Sequence, residues 1–330
     1  MQTTFTPTTV TTKFQRTYQV FVEAINGSTF EFGSADGSQP LLDMEFNVIR
    51  GYQSAVQSGN FRIRNVNQNT RNNVFKDNFN IAIPRSVKVM AGYVGTPLAT
   101  IFQGMAQTIM SYREEGGTDW ITEIVGMDWG FLNAGAFSNW TDGPYDNPKS
   151  YTQFNVIKHL TNDAIAYAKL KGQTLNIGGV VGFTTPRYSY TAHDFTMNLL
   201  AVESNRLAFI DNGNIYVMPV NYVIPGDVTE ISSDTGLLGS PKQQQTNLIC
   251  QIIFEPSMTV NQQIYLNTES SEFSSAKNGL YKVVGVQHAG VISSSRAGKC
   301  ITTVQLQYQQ NPIIAQPGTY TQLDEQGNVV

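Results

Sequence analysis

Several short windows of the chain place apolar residues at every second position, the spacing that gives a strand one buried and one open face. Tyr18 to Ile25 is rich in aromatic and β-branched residues and ends at Asn26-Gly27, a pair that tolerates positive φ and closes hairpins. Met44–Arg50 and Phe61–Val66 alternate apolar and polar residues and predict half-buried antiparallel strands. Ser86 to Tyr93 predicts another strand, broken by Gly95-Thr96-Pro97. The β-rich runs Ala99–Tyr112 and Trp120–Met127 flank the polar cluster Glu114–Gly117, which predicts one long hairpin.

The grammar changes in the middle of the chain. Asn139–Lys149 holds two prolines and a glycine among polar residues and reads as a linker. Phe154, Ile157, Leu160, Ala164 and Ala168 then recur at spacings of three and four, predicting a helix over about 150–170 that Gly172 stops. A second helix is expected over Asp194–Glu203. A tight hairpin is expected from Arg206–Ile210 and Ile215–Met218 across Asp211–Asn214. Strand patterning returns at Leu248–Phe254 and Gln262–Leu266. A second long hairpin pairs Leu280–Gly290 with Cys300–Tyr308 around Ser293–Gly298. At an offset of 180 residues Ile121, Thr122 and Ile124 fall on Ile301, Thr302 and Val304, which points to two copies of one β-domain.

The fold class expected is therefore mainly β with an inserted α+β unit. The expected boundaries are an extended arm over 1–17, a first β-domain over 18–138, the insertion over 139–222, a second β-domain over 223–312 and a polar tail over 313–330. The arm is assigned because seven threonines within Met1–Thr12 supply β-propensity without an apolar face, and that stretch lacks the form of a secretory signal.

Composition narrows the function. Charged residues make up 14% of the 330, against about 25% in an ordinary soluble domain, and Asn, Gln, Ser and Thr make up about a third. With a net charge of −4 the chain lacks the broad cationic surface that tight nucleic-acid binding requires. No window approaches the ~20 apolar residues of a membrane-spanning helix. Cys250 and Cys300 are too few for a disulfide framework; two buried thiols are expected, with pairing across neighbouring strands as the alternative.

Catalytic constellations are weak. His159, His193 and His288 stand apart, and only Asp163 lies within one helical turn of a histidine; a solvated His159/Asp163 pair is the plainer reading. Glu114, Glu115, Asp119, Glu123 and Asp128 could offer two carboxylates, but a solvated hairpin tip explains them as well. Ser274-x-x-Lys277 lacks the companion motifs of acyl-transfer enzymes, and Arg296–Lys299 lacks the glycine and hydroxyl residue of a phosphate loop. No catalytic residue, metal or cofactor is expected. Arg62, Arg64, Arg71, Lys76, Arg85 and Lys88 share a stretch with a single acid, Asp77, and could either dock an acidic neighbour or form a solvated strand face.

Four segments decide the reading: Phe46–Arg50 with Phe61–Val66, Val89–Tyr93 through Leu98–Gly104, Thr118–Ile124, and Asp234-Thr-Gly-Leu-Leu-Gly-Ser-Pro241. Together they resemble the baseplate hub proteins of contractile-tailed bacteriophages, over about Tyr18 to Tyr308 and in that family's order. The resemblance implies two β-barrel domains like the tail-tube subunit, with the α+β unit inserted between them. It implies a homotrimer presenting six similar barrels. Such a trimer joins a six-fold tail tube to a three-fold central spike, contacts other baseplate proteins, and passes DNA through its channel without specific binding. Its place would be the virion tail, assembled in the host cytoplasm. Interfaces are then expected at the first hairpin (Met105, Ile109, Tyr112, Trp120), the second (Gln287, Val291, Arg296), the Leu237-Leu238 loop, and the basic face of Arg62 and Arg64. A tail-borne cell-wall hydrolase and a carbohydrate-binding adhesin are the competing classes. In a tubular assembly the scarcity of ions gains a meaning: contacts avoid the desolvation cost of charge, and a neutral wall would not retain DNA.

Overall fold

A computed structural model describes residues 13, 15–34, 41–51, 57–77, 84–129, 138–141, 151–184, 186–187, 189–192, 206–268, 277–296, 298–309, 312–315, 318–324, 326 and 328–330. The chain divides into two units, the first made of Met1–Gly51, Gln57–Asp128 and Gly226–Gln310 and the second of Tyr52–Val56, Trp129–Pro225 and Asn311–Val330. In chain order the first unit begins with β1 (Arg16–Glu23), β2 (Thr29–Ser34), β3 (Met44–Gly51), β4 (Ser58–Arg64), α1 (Gln68–Val74), β5 (Arg85–Tyr93), β6 (Ala99–Arg113) and β7 (Trp120–Met127). The second unit follows with β8 (Ser138–Thr141), β9 (Tyr151–Thr152), α2 (Gln153–Leu170), β10 (Asn176–Phe183), β11 (Pro186–Arg187), β12 (Ser189–Ala192), β13 (Arg206–Asp211), β14 (Asn214–Pro219) and β15 (Tyr222–Val223). The chain returns to the first unit with β16 (Thr229–Ile231), β17 (Lys242–Gln244), β18 (Asn247–Ile253), β19 (Gln263–Leu266), β20 (Gly279–Ile292) and β21 (Cys300–Tyr308), and ends in the second with β22 (Ile313–Ile314) and β23 (Tyr320–Leu323). The protein is mainly β with an inserted α+β unit, as its patterning predicts.

The first unit is one 13-stranded sheet built from the same strand order used twice. The run β3-β4-β7-β6-β5-β1 recurs as β17-β18-β21-β20-β19-β16. The registers match as well as the order. In the β6/β7 hairpin Arg113 lies opposite Trp120, Ile109 opposite Ile124 and Ala106 opposite Gly126; in β20/β21 Gly290 lies opposite Cys300, Val286 opposite Val304 and Val283 opposite Leu306. Even the bulge recurs, between Ala106 and Thr108 in one hairpin and between Val283 and Gly285 in the other. Gly290 stands 177 residues after Arg113 and Cys300 stands 180 after Trp120, so the second tip is three residues longer. The sixth strand departs from the pattern: β1 runs antiparallel to β5, whereas β16 runs parallel to β19.

The two repeats are joined because β3 pairs with the far half of β20, from Gly285 opposite Gly51 to Ile292 opposite Met44. The second repeat curls back on itself: between β16 and β17 the chain runs along β18, where the Leu238 N–H donates to Gln251 O (2.7 Å) and the Ile253 N–H to Gly236 O (2.8 Å). In the first repeat a buried side chain, Tyr18, reaches the approach to β3, its hydroxyl donating to Leu42 O at 2.8 Å.

Core packing explains why the duplication is faint in sequence. Gly59 and Gly126 lie opposite each other in β4 and β7, and a Cβ on either would stand 3.1 or 2.6 Å from the Phe102 ring. In the second repeat the same two positions are Leu248 and Leu306, also opposite each other, and Gly279 occupies the place of Phe102. Large and small residues have exchanged places between the two repeats, a change that keeps total side-chain volume similar.

In the second unit α2 starts at Thr152, whose hydroxyl accepts the Asn155 N–H, and buries Val156, Ile157, Leu160, Ala164 and Ala168. It ends as its glycine predicts. Gly172 (φ 74°) donates to Lys169 O and Gln173 to Ala168 O, the paired bonds of a Schellman cap. Gly182 of β10 lets the helix come close, since a Cβ there would lie 2.5 Å from the Phe154 Cα. Asn212 and Gly213, both at positive φ, close β13 onto β14. The helix expected over 194–203 lies outside the described residues.

Several expectations need correction. Residues 313–330 are not simply a tail: β22 pairs with β15, and β23 adds a parallel strand to β10 and buries Leu323. Patterning missed this because the two strands are short and separated by glycine and proline. Strand β1 begins at Arg16, two residues inside the expected arm, and Lys13 pairs with Glu255 at 2.9 Å. Helix α1 was not foreseen; Asn67 caps it by accepting the Thr70 N–H. Cys250 and Cys300 are free, buried thiols, and burial pushes them up to about 12 and about 11.

Candidate functional site

The positions proposed for contacts lie mostly on the sheet face opposite the core and on the two hairpin tips. On that face Arg62 of β4 stands 2.6 Å from the Glu114 carboxylate, 3.7 Å from Glu45, and donates to the Tyr112 hydroxyl at 3.0 Å. Tyr112 in turn donates to Glu123 (3.1 Å), whose other oxygen accepts from Asn60 Nδ2 at 3.0 Å. Arg64 lies 3.9 Å from Asp119, which also accepts from Asn65. The carboxylates that sequence offered for catalysis at Glu114, Asp119 and Glu123 are thus engaged by arginine or amide donors on β4 and the residue that follows it.

The other basic residues are also used internally. The Arg71 guanidinium lies over the Trp120 ring at 3.9 Å, with Arg113 4.9 Å from the same ring. Arg85 donates to Val74 O and Phe75 O at the end of α1, satisfying carbonyls that a helix terminus leaves open. Lys76 is buried and donates to Gln107 O at 3.0 Å. The outer face also carries Glu31 and Lys88, while beside the second hairpin it is made of neutral amides. Gln287 donates to Asn47 at 2.9 Å, and Gln251 and Gln305 are exposed beside them.

No family model matches the chain, and no curated protein matches it. Solved structures do. The 43 kDa tail protein of prophage MuSo2 from Shewanella oneidensis superposes with a TM-score of 0.53 at 9% identity, covering 88% of this chain and 97% of that one. A type VI secretion component of E. coli, described as similar to the T4 bacteriophage tail proteins gp27 and gp5, gives 0.50 at 7% identity over 88% of this chain and 79% of that one. The chain has the fold of phage tail proteins.

Within this tail-protein fold the candidate residues separate. Met105 and Ile109 are core residues, fully buried, and do not form a surface; their strand presents Met110 and Tyr112 on the outer face instead. Within the regular stretch after the bulge, Ile109 and Tyr112 differ in parity and so point to opposite faces, which the expected hairpin interface did not separate. Val291 and Arg296 belong to a tip fastened within the chain. Arg16 donates to Val291 O and Gly298 O, and Ser293, Ser295 and Arg296 converge on Asp43. Leu237 forms a bridge with Ile252, while Leu238 is exposed at the sheet edge.

Sequence reasoning missed a pair of buried polar contacts. Thr302 in β21 is fully buried beside His288 Nδ1 (2.9 Å) and accepts the Glu255 N–H at 2.9 Å; burial pushes the His288 imidazole down to about 3, helped by the Arg50 charge. At the matching place in the first repeat, Thr122 and Ser111 share a hydrogen bond of 3.1 Å. The only signal was the alignment of Thr122 with Thr302. Of the acyl-transfer pattern, Ser274 lies outside the described residues; His159 is 3.3 Å from Asp163 with both side chains partly exposed.

Proposed function

We propose that this protein is a structural hub of a phage tail, in which three copies form a ring of six similar repeats that joins a six-fold tube to a three-fold spike. The observation that carries the reading is the doubled strand order, with matching register and bulge, inside a tail-protein fold. A chain built of two equivalent units can meet six-fold neighbours on one side and three-fold neighbours on the other. The work done is assembly, through strand edges and packed sheets, with tail tube, spike and other baseplate proteins as partners and the virion tail, assembled in the host cytoplasm, as location. The outer sheet face suits a channel wall, because its amides are neutral and Arg62 and Arg64 already face carboxylates, so DNA can pass without being held.

The test is the mass of the purified chain by light scattering, with a reconstruction of the assembled tail. Three copies at the six-to-three symmetry change are expected. A chain that stays monomeric alone and with its tube partner overturns the reading. Clearing of a cell-wall zymogram by the chain alone would revive the hydrolase.

A further inference from the structure

The duplication carries information about how copies meet. Inside one chain the far half of β20 is paired with β3. The matching half of β6, residues 110–113, has β7 on one side and no strand on the other among the described residues, and the strand matching β3, which is β17, has β18 on one side only. Among the described residues each chain therefore holds one completed junction between repeats and both halves of a second that is not made.

The unmade junction is shaped for a short strand. Ile109 exchanges both backbone bonds with Lys76 (2.9 and 2.8 Å), which fills the position that Arg50 holds opposite Val286 in the completed junction. By strand alternation the backbone groups of Ser111 and Arg113 point off the same edge. A groove of about 720 Å³ lies there, lined by Ser111, Arg113 and Trp120 on one side and by Gln68, Arg71, Asn72 and Phe75 on the other. The proposed mate is correspondingly short: β17 has three residues, all exposed, and turns away at Gln245 (φ 52°), the residue that would otherwise meet Ile109. Lys76 and the Gln245 turn leave room for each other.

We infer that β17 of one copy adds antiparallel to the open half of β6 of the next, repeating between chains the junction that β3 and β20 make within one. The occupant is a second copy of this chain because the completed junction shows what pairs with such an edge. The register follows from Gln287 opposite Ile49, His288 opposite Val48 and Ala289 opposite Asn47. Transferred through the equivalent β3/β4 and β17/β18 pairs, it places Met110 opposite Gln244, Ser111 opposite Gln243 and Tyr112 opposite Lys242. The contact is head-to-tail rather than two-fold, so it closes into a ring where the rotation between copies is that of the three-copy hub. This inference rests on the ring-forming hub reading and names its seam.

The experiment is cysteine cross-linking of the full purified chain carrying Met110→Cys and Gln244→Cys, two exposed positions. In the proposed register they form a non-hydrogen-bonded pair with Cα atoms about 4.5 Å apart, within disulfide reach. Under mild oxidation a ladder of covalent dimer and trimer is expected, collapsing on reduction. Neither single variant should give it, nor should Met110→Cys with Gln251→Cys. A chain that is trimeric by light scattering yet does not cross-link through this pair overturns the seam and leaves the hub reading standing. Equal cross-linking by Met110→Cys alone overturns it in favour of a two-fold contact. A chain that remains monomeric at every concentration, alone and with its tube partner, overturns both.

Discussion

Replacing Thr302 with valine tests whether the buried polar contacts at the heart of the second repeat act as the structure describes. Valine keeps the shape of threonine and removes only the hydroxyl. That hydroxyl accepts the Glu255 N–H at 2.9 Å and lies 2.9 Å from His288 Nδ1, in a place where both Thr302 and His288 are fully buried. Thr302→Val therefore deprives two groups of a partner. At about 1–3 kcal/mol for each buried polar group left without one, the loss should be about 2–6 kcal/mol, or a fall in Tm of about 4–24 °C for a unit of this size. Thr302→Ser keeps the oxygen and should recover most of the loss. The equivalent change in the first repeat, Thr122→Val, affects a bond to the partly buried Ser111 hydroxyl, which can rotate to another partner; its cost should stay below about 1.5 kcal/mol. Denaturant titration of the three variants measures all of this. A Thr302→Val chain within about 1 kcal/mol of the parent, or a Thr122→Val chain that is equally damaged, refutes the reasoning.

Two further outcomes are expected. Gly126→Ala should cost about 1–3 kcal/mol, because the new Cβ meets the Phe102 ring at 2.6 Å, and Phe102→Leu should relieve part of that cost; strictly additive losses in a double-mutant cycle would show the glycine is not there for the ring. Lys282 is buried, and burial pushes its ammonium down to about 7, below the ordinary 10.5. The folded state then binds fewer protons than the unfolded state between those values, so this group makes stability rise from about pH 7 to 10.5, with its full cost present below 7. Lys282→Met, which installs the residue found at the matching Met105, should raise stability at neutral pH and remove that slope from a series of denaturation midpoints; an unchanged slope would refute it.

The tail-protein fold also changes how the low charge of the chain is understood. Arg62, Arg64, Arg71 and Arg85 looked like a basic patch when counted along the sequence. In the structure each faces a carboxylate, a ring or a helix end. Few ions are present, and those near the first hairpin are largely spent on holding β4, α1 and the tip together.

What sequence determined by itself was local. Period-two patterning located β3 and β4; β-rich runs around polar or glycine-bearing tips located β5 and both long hairpins; spacing of three and four located α2; Gly172 and the Asn212-Gly213 turn marked where the chain stops or reverses. These follow from side-chain direction and allowed φ, which depend on near neighbours only. The hint of duplication was also legible, through Thr122 and Thr302. Tertiary structure decided the rest. That β3 pairs with β20, merging two repeats into one sheet, involves strands more than 230 residues apart and leaves no periodic trace. That 320–323 completes the sheet of the inserted unit could not be read from a four-residue strand. The likeness of the two cores was hidden because Gly59, Gly126 and Phe102 stand at the positions that Leu248, Leu306 and Gly279 hold in the other repeat. Packing constrains the sum of volumes across facing strands rather than the residue at any one position, and only the folded chain shows which positions share that sum.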